Sequence, residues 1–225
     1  MKTNFVIALL AVAGWLVVGP MARAAVTTVG AVPNAPPAGG GAVVGAFTVG
    51  DGAFGSVTVT AGTGITNTGG ATIGNGAGGI GVVSLSGFDS DWTLNNAASD
   101  ITLGDEGAGQ ITVASSARLT VPDDTFIGAF GTGNGKLIVT GLGSVYDNGD
   151  DFTVGTNGVG SVDVTSGGAV ESDLLTIGDL SLGQGFVSVS GDLSRWTAGE
   201  HRRRRRGQRP ARRSERRSRD QRQRC

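Results

Sequence analysis

The chain has 225 residues, of which 41 are Gly, 39% are hydrophobic, 16% charged and only 5% aromatic; glycine supplies no side chain to bury and weakens helix interiors by about 1 kcal/mol each, so the composition speaks against a core of packed helices and aromatic clusters. One His (His201) and one Cys (Cys225) leave almost no material for metal sites, disulfides or nucleophile–base pairs, so no metal, cofactor or catalysis is expected. The net charge of −1 conceals two opposed blocks: residues 25–201 hold 17 acidic side chains against Arg118, Lys136 and Arg195, a net of −14, whereas 202–225 hold 13 Arg against Glu215 and Asp220, a net of +11. An acidic body repels phosphate, so no specific nucleic-acid partner is expected.

Residues 1–24 read as a signal peptide. Lys2 supplies the positive start, Phe5 to Val18 is a 14-residue apolar run, and Ala22-Arg23-Ala24 has the small-x-small pattern that places cleavage before Ala25. The run is shorter than the roughly 20 apolar residues a membrane span needs, and Pro20 ends it. The expected location is therefore secreted or at the cell surface, which suits a chain with no second Cys to pair. Residues 25–46, with Pro33, Pro36, Pro37 and Gly39-Gly40-Gly41, read as a flexible linker or an irregular end cap.

Residues 47–200 carry a repeat. An aliphatic residue followed by Gly recurs as Val49-Gly50, Ile73-Gly74, Leu103-Gly104, Ile127-Gly128, Val154-Gly155 and Ile177-Gly178, with the glycines 24, 30, 24, 27 and 23 residues apart. After each comes a Gly-rich turn and then a strand with alternating aliphatics: Val57/Val59, Val83/Leu85, Ile111/Val113, Leu137/Val139, Val162/Val164 and Val187/Val189. Period-two alternation gives each strand a buried and a mostly wetted face. A third, looser segment follows six or seven residues later, represented by Ile65, Trp92, Leu119, Val145, Val170 and Trp196.

Three short strands per unit of about 25 residues predict an all-β fold, a parallel (right-handed) β-helix solenoid of about six coils whose aliphatic positions form three internal ladders. Strand spacing of about 4.8 Å makes six coils a rod on the order of 30 Å long. Corners need positive φ or close backbone approach, which Gly supplies, with Asn and Asp next best. Propeller blades take about 40 to 50 residues, so each blade would consume two of these units. A final coil left open exposes unpaired strand edges.

A second rhythm runs inside the first. Gly87-Phe88-Asp89-Ser90-Asp91-Trp92, Gly141-Leu142-Gly143-Ser144-Val145-Tyr146 and Gly191-Asp192-Leu193-Ser194-Arg195-Trp196 share Gly-x-x-Ser-x-aromatic in alternate units, while the units between carry small residues, as in Thr165-Ser166-Gly167-Gly168-Ala169-Val170. This combined pattern resembles the type V secretion (autotransporter) and PEP-CTERM-associated repeat family over Phe47 to Gly199. The resemblance implies a bacterial exported surface protein, an autotransporter-passenger-like β-helical stalk or adhesin segment, with cell-surface or extracellular glycans or proteins as partners. It also implies an outer-membrane translocator or a sorting signal in full-length relatives. Neither is expected here, because no alternating barrel strand follows Val189 and Pro210 sits among Arg residues with no apolar span beside it.

Residues 201–225 have no aliphatic side chain larger than Ala and cannot build a core. The segment reads as a disordered basic tail, open to three interpretations: an arm that grips polyanions, a surface that folds back on the acidic body, or the product of a shifted reading frame interrupting the repeat.

Candidate chemistry is sparse. Gly50 to Gly55 and Gly76 to Gly81 both match G-x-G-x-x-G, but a dinucleotide site needs that loop to open a helix; strands follow both, so they read as corners. Asp147, Asp150 and Asp151 offer oxygen ligands for calcium without the spacing of a known loop and read better as solvated turns. Asp89 with Asp91, or Asp105 with Glu106, would be the carboxylate pair of a polysaccharide-cleaving enzyme, the weakest reading. Trp92, Tyr146 and Trp196 fall on alternate coils. They are the candidate glycan contacts of a carbohydrate-binding alternative, or else they cover the apolar interior.

Overall fold

The computed structural model describes residues 25–60 and 62–199. The signal-peptide reading of 1–24 and the basic tail, 201–225, lie outside the described residues. Every regular element described is a strand. β1 (Val26–Gly30), β2 (Gly41–Val43) and β3 (Phe47–Asp51) open the fold. Then come β4 (Phe54–Thr60), β5 (Gly64–Asn67), β6 (Ala71–Asn75), β7 (Ile80–Ser86), β8 (Asp91–Leu94) and β9 (Ile101–Asp105). The succession continues with β10 (Ala108–Ala114), β11 (Arg118–Val121), β12 (Thr125–Ile127), β13 (Asn134–Thr140), β14 (Val145–Asn148) and β15 (Asp151–Val154). β16 (Val159–Thr165), β17 (Ala169–Ser172), β18 (Leu174–Ile177), β19 (Gln184–Ser190) and β20 (Arg195–Ala198) complete it.

Each strand from β1 to β17 pairs with the third strand after it. The result is three sheets, ordered β1-β4-β7-β10-β13-β16-β19, β2-β5-β8-β11-β14-β17-β20 and β18-β15-β12-β9-β6-β3. Within these sheets the pairings are parallel except β1 with β4, which is antiparallel. Parallel neighbours separated by two other strands are the signature of a chain winding as a solenoid of about six coils.

The register superposes the repeat on itself. Val57, Val83, Ile111, Leu137, Val162 and Val187 stand in one column of the first sheet. Val59, Leu85, Val113, Val139, Val164 and Val189 stand in a second, through the same pairings. In the third sheet Val49, Ile73, Leu103, Ile127, Val154 and Ile177 form another. One coil buries too little apolar surface to fold alone; a neighbour above and below seals each side chain in.

The column of the second sheet corrects one expectation. It runs Ile65, Trp92, Leu119, Tyr146, Val170 and Trp196, so Tyr146 and not Val145 is the inward residue. Val145 pairs with Arg118 and Ala169 on the alternate parity of the strand. A slip of one residue exchanges the faces.

Two glycines per coil make the tight corner between the third and first sheets. The one after the aliphatic residue has positive φ, as at Gly104 (70°) and Gly128 (69°). The other, second in each of the six parallel strands of the first sheet, has ordinary φ but no room. A Cβ on Gly135 would run into the carbonyl oxygen of Leu103 one coil below and the amide nitrogen of Gly128. Gly55, Gly81, Gly109, Gly135, Gly160 and Gly185 are aligned in register at this position.

The Pro- and Gly-rich segment 25–46 folds onto the start of the solenoid. β1 lies along β4 from Val26 opposite Val59 to Gly30 opposite Gly55, and Val26 and Val43 are buried in the core.

Gly135→Ala is expected to lower stability by about 2 kcal/mol or more, because backbone on two coils must separate. Gly131, whose Cβ would meet nothing within 4 Å, is the matched control and should change stability by less than about 0.5 kcal/mol. Urea unfolding of the two variants measures the contrast.

Candidate functional site

The alternation seen in the sequence is an alternation of corners between the first and second sheets. Where the chain needs six residues from the second ladder aliphatic to the next inward residue, as from Val113 to Leu119, the corner is short, with consecutive left-handed residues: Ser115 (φ 56°) and Ser116 (φ 69°), or Ser166 (54°) and Gly167 (87°). Where it needs seven, as from Val139 to Tyr146, the corner is Gly-x-x-Ser, with Gly141 at φ 90° and Gly143 at 81°.

The Ser of the longer corner fastens it. Ser144 Oγ donates to the Thr140 carbonyl at 2.7 Å and accepts the Ser116 amide of the coil below at 3.1 Å. Ser116 Oγ donates in return to the Leu142 carbonyl at 2.9 Å. Ser90 Oγ likewise donates to the Ser86 carbonyl at 2.7 Å, and Ser194 Oγ accepts the Gly167 amide at 3.0 Å. Long and short corners therefore interlock.

The aromatic two residues after that Ser points inward. Trp92 and Tyr146 are 0% exposed, and Trp196 is half-buried in the last coil. This overturns the glycan-contact expectation for Trp92 and Tyr146: the strand parity that follows the Ser corner sends both rings into the core, with no face left for a sugar. Phe47 and Trp92 meet edge to face at 5.5 Å between ring centroids, and Phe152 meets Tyr146 at 5.6 Å and Trp196 at 4.9 Å.

Trp92, Tyr146 and Trp196 each carry a polar atom into the core, and each finds a partner one coil below. Trp92 Nε1 donates to Asn67 Oδ1 at 2.8 Å. Trp196 Nε1 donates to Ser172 Oγ at 3.1 Å. The Tyr146 hydroxyl lies 2.9 Å from Thr125 Oγ1, which itself donates to Asn148 Oδ1 at 2.6 Å. The Thr proton is thus committed to Asn148, leaving Tyr146 as the donor to Thr125. Burial pushes the Tyr146 phenol far above its ordinary 10.0, so it stays a neutral donor.

Asn67 and Asn148 close the last strand positions before the next corner. Asn148 Nδ2 donates to the Asp150 and Asp151 carbonyls at 2.9 and 3.0 Å, and Asn67 Nδ2 donates to the Gly69 and Gly70 carbonyls. These interior polar residues were not anticipated. Their parity was the available signal: each lies two residues after an inward side chain, Ile65 or Tyr146.

A column of aspartates was also missed. Asp100, Asp124 and Asp151 stand in consecutive coils where the corner from the second sheet enters the third, Asp151 as the first residue of β15. Asp100 Oδ1 accepts the Asp124 amide at 3.1 Å, and Asp124 Oδ1 accepts the Asp151 amide at 3.0 Å. Carboxylate oxygens of Asp100, Asp123 and Asp124 come within 4.8 Å of one another. That arrangement offers three hard oxygen ligands, short of the six to eight a calcium site takes. Burial, and then the charges of Asp123, Asp100 and Asp151, raise the Asp124 carboxyl above its ordinary 3.8, against a lowering from the Asp151 amide bond.

The acids weighed in the sequence as calcium ligands do not converge on one site. Asp147 stands on the outer face paired with the Arg118 guanidinium at 2.6 Å, while Asn148 beside it points inward, so Asp147, Asp150 and Asp151 are divided between faces and corner. Asp105 is raised by burial and then by the Glu106 charge. The G-x-G-x-x-G stretches lead into strands β4 and β7 and open no helix. No protein-family model matches the chain, and neither does any curated protein or solved structure.

Trp92→Ala is expected to cost about 3 to 5 kcal/mol, read by denaturant unfolding, because it empties the core and strands Asn67 Oδ1. Asp124→Asn keeps the acceptor for the Asp151 amide and removes a charge whose ionised form the fold disfavours. A raised carboxyl means the folded state holds the proton more tightly, so this group's contribution worsens as pH rises from the ordinary 3.8 through the higher folded value. The variant should therefore melt above the native chain at neutral pH, with the gap closing toward acid pH and narrowing in high salt.

Proposed function

We propose that the chain is a non-catalytic exported repeat protein, a β-solenoid stalk or display segment of a bacterial surface, whose partners are extracellular proteins or glycans met on its flat outer faces. The observation that carries this reading is the division of side chains between inside and outside. Aliphatic and aromatic residues fill the columns of the interior, whereas outward positions are mostly polar: Thr48, Thr72 and Thr102 on the third sheet, where Phe126 follows as an exception, and Thr66, Thr93 and Thr120 on the second.

Such a body suits a spacer. Inter-strand hydrogen bonds run along the solenoid axis, and each added coil extends the rod by about 4.8 Å. Like charges repel along the acidic body, which favours solubility and keeps neighbouring rods apart. Export rests on the charged start, apolar run and small-x-small site of residues 1–24, and the surface role on the autotransporter and PEP-CTERM-associated repeat resemblance.

Expression of the full chain in a Gram-negative host tests the export half of the proposal. A product whose first residue is Ala25, recovered outside the cytoplasm, is expected. An unprocessed chain retained in the cytoplasm contradicts it.

A further inference from the structure

The two ends of the solenoid are built differently. At the start, β1 runs antiparallel along β4 and closes the edge of the first sheet. Among the described residues, β18, β19 and β20 at the other end each have a neighbour on one side only: β15, β16 and β17.

The interior columns come to the surface there. Ile177 is 49% exposed, although Val49, Ile73, Leu103, Ile127 and Val154 below it are all 0%. Val189 is 44% exposed above a fully buried Val164. Val187 and Trp196 are only partly covered. Neither β18 (Leu-Leu-Thr-Ile) nor β19 (Gln-Gly-Phe-Val-Ser-Val-Ser) contains Lys, Arg, Asp, Glu or Pro, the residues by which exposed edges are kept from pairing.

The sequence that follows offers almost no apolar side chains from which a further coil could be built. Residues 200–225 contain 13 Arg and, as apolar side chains, only Ala211, Pro210 and Cys225, so they have nothing to set above Ile177, Val187 and Val189. A second copy of the chain does. We propose that two copies join tail to tail about a twofold axis, their β18–β20 edges pairing antiparallel and their exposed columns forming one continuous core.

Three features favour this geometry. The first sheet already takes an antiparallel strand at its opposite edge, β1 on β4, so the coil accommodates that pairing. β19 is uncharged, and an antiparallel partner of the same sequence brings no like charges together. Head-to-tail stacking would set three parallel edges against a start whose first sheet ends in a reversed strand, and β1 would interrupt the columns. The contact is therefore isologous and closes at two copies.

Light scattering and small-angle X-ray scattering of the full chain test the proposal. The expected result is twice the chain mass and a maximum dimension close to double that of a variant carrying Phe186→Lys and Ser188→Lys, exposed outward positions on β19. That variant should be monomeric with an unchanged far-ultraviolet strand signal, while Thr27→Lys on the outer edge of β1 should leave the dimer intact. Amide exchange in β19 of the native chain should also slow as concentration rises, a readout needing no variant. A single-chain mass at every concentration, filaments that grow with concentration, a dimer abolished by Thr27→Lys alone, or β19 exchange independent of concentration overturns it.

Discussion

The structure depends on one constraint: aliphatic side chains of successive coils must lie directly above one another at the spacing of hydrogen-bonded strands. Satisfying it leaves little freedom elsewhere. Parallel pairing fixes the vertical step, so Val83, Ile111 and Leu137 touch because their backbones are bonded. A residue deleted from the middle of a strand would turn its inward column outward, whereas the corners differ in length: six residues from Val113 to Leu119 against seven from Val139 to Tyr146, and seven from Val170 to Ile177 against eleven from Trp92 to Leu103. This is why units of 23 to 30 residues superpose.

Around that constraint, polar chemistry serves as a fastener. The corner serines bond upward and downward between coils, the aspartates at the next corner hand a carboxylate oxygen to the amide of the coil above, and the interior asparagines hold the turns that follow them. Each bond satisfies a backbone group that a tight corner would otherwise leave buried without a partner. The aspartate column shows that the fastening has a cost, since burial, and then the charges of the neighbouring carboxylates, hold Asp124 above its ordinary range. The alternation of long and short corners makes two coils the natural unit, because each Gly-x-x-Ser corner needs the shorter one beneath it.

Most of the fold was legible in the sequence because period-two alternation repeated six times, and every aliphatic placed in the three ladders from Val49, Val57 and Val59 onward proved to be in register. The second sheet was harder. Its strands have four residues or fewer, too short for alternation to speak unaided, and Val145 beside Tyr146 offered two apolar residues for one inward position. The Gly-x-x-Ser-x-aromatic motif held the answer, since Trp92 and Trp196 stand at the same motif position as Tyr146. The aromatics left two readings open for a related reason: large amphipathic rings suit a surface platform as well as a core, and only the partners Asn67, Thr125 and Ser172, found one coil away, show how their polar atoms are satisfied inside. The aspartate column was hidden by its spacing of 24 and 27 residues and by the other acids around it.

The stacking itself is open to a direct measurement. Methyl-labelled protein examined by nuclear Overhauser spectroscopy should give strong contacts from Ile111 to Val83 and to Leu137, residues far apart in sequence and adjacent in one column. Contacts from Ile111 confined to the strands next to it in sequence, with none to Val83 or Leu137, would contradict the solenoid and everything built upon it.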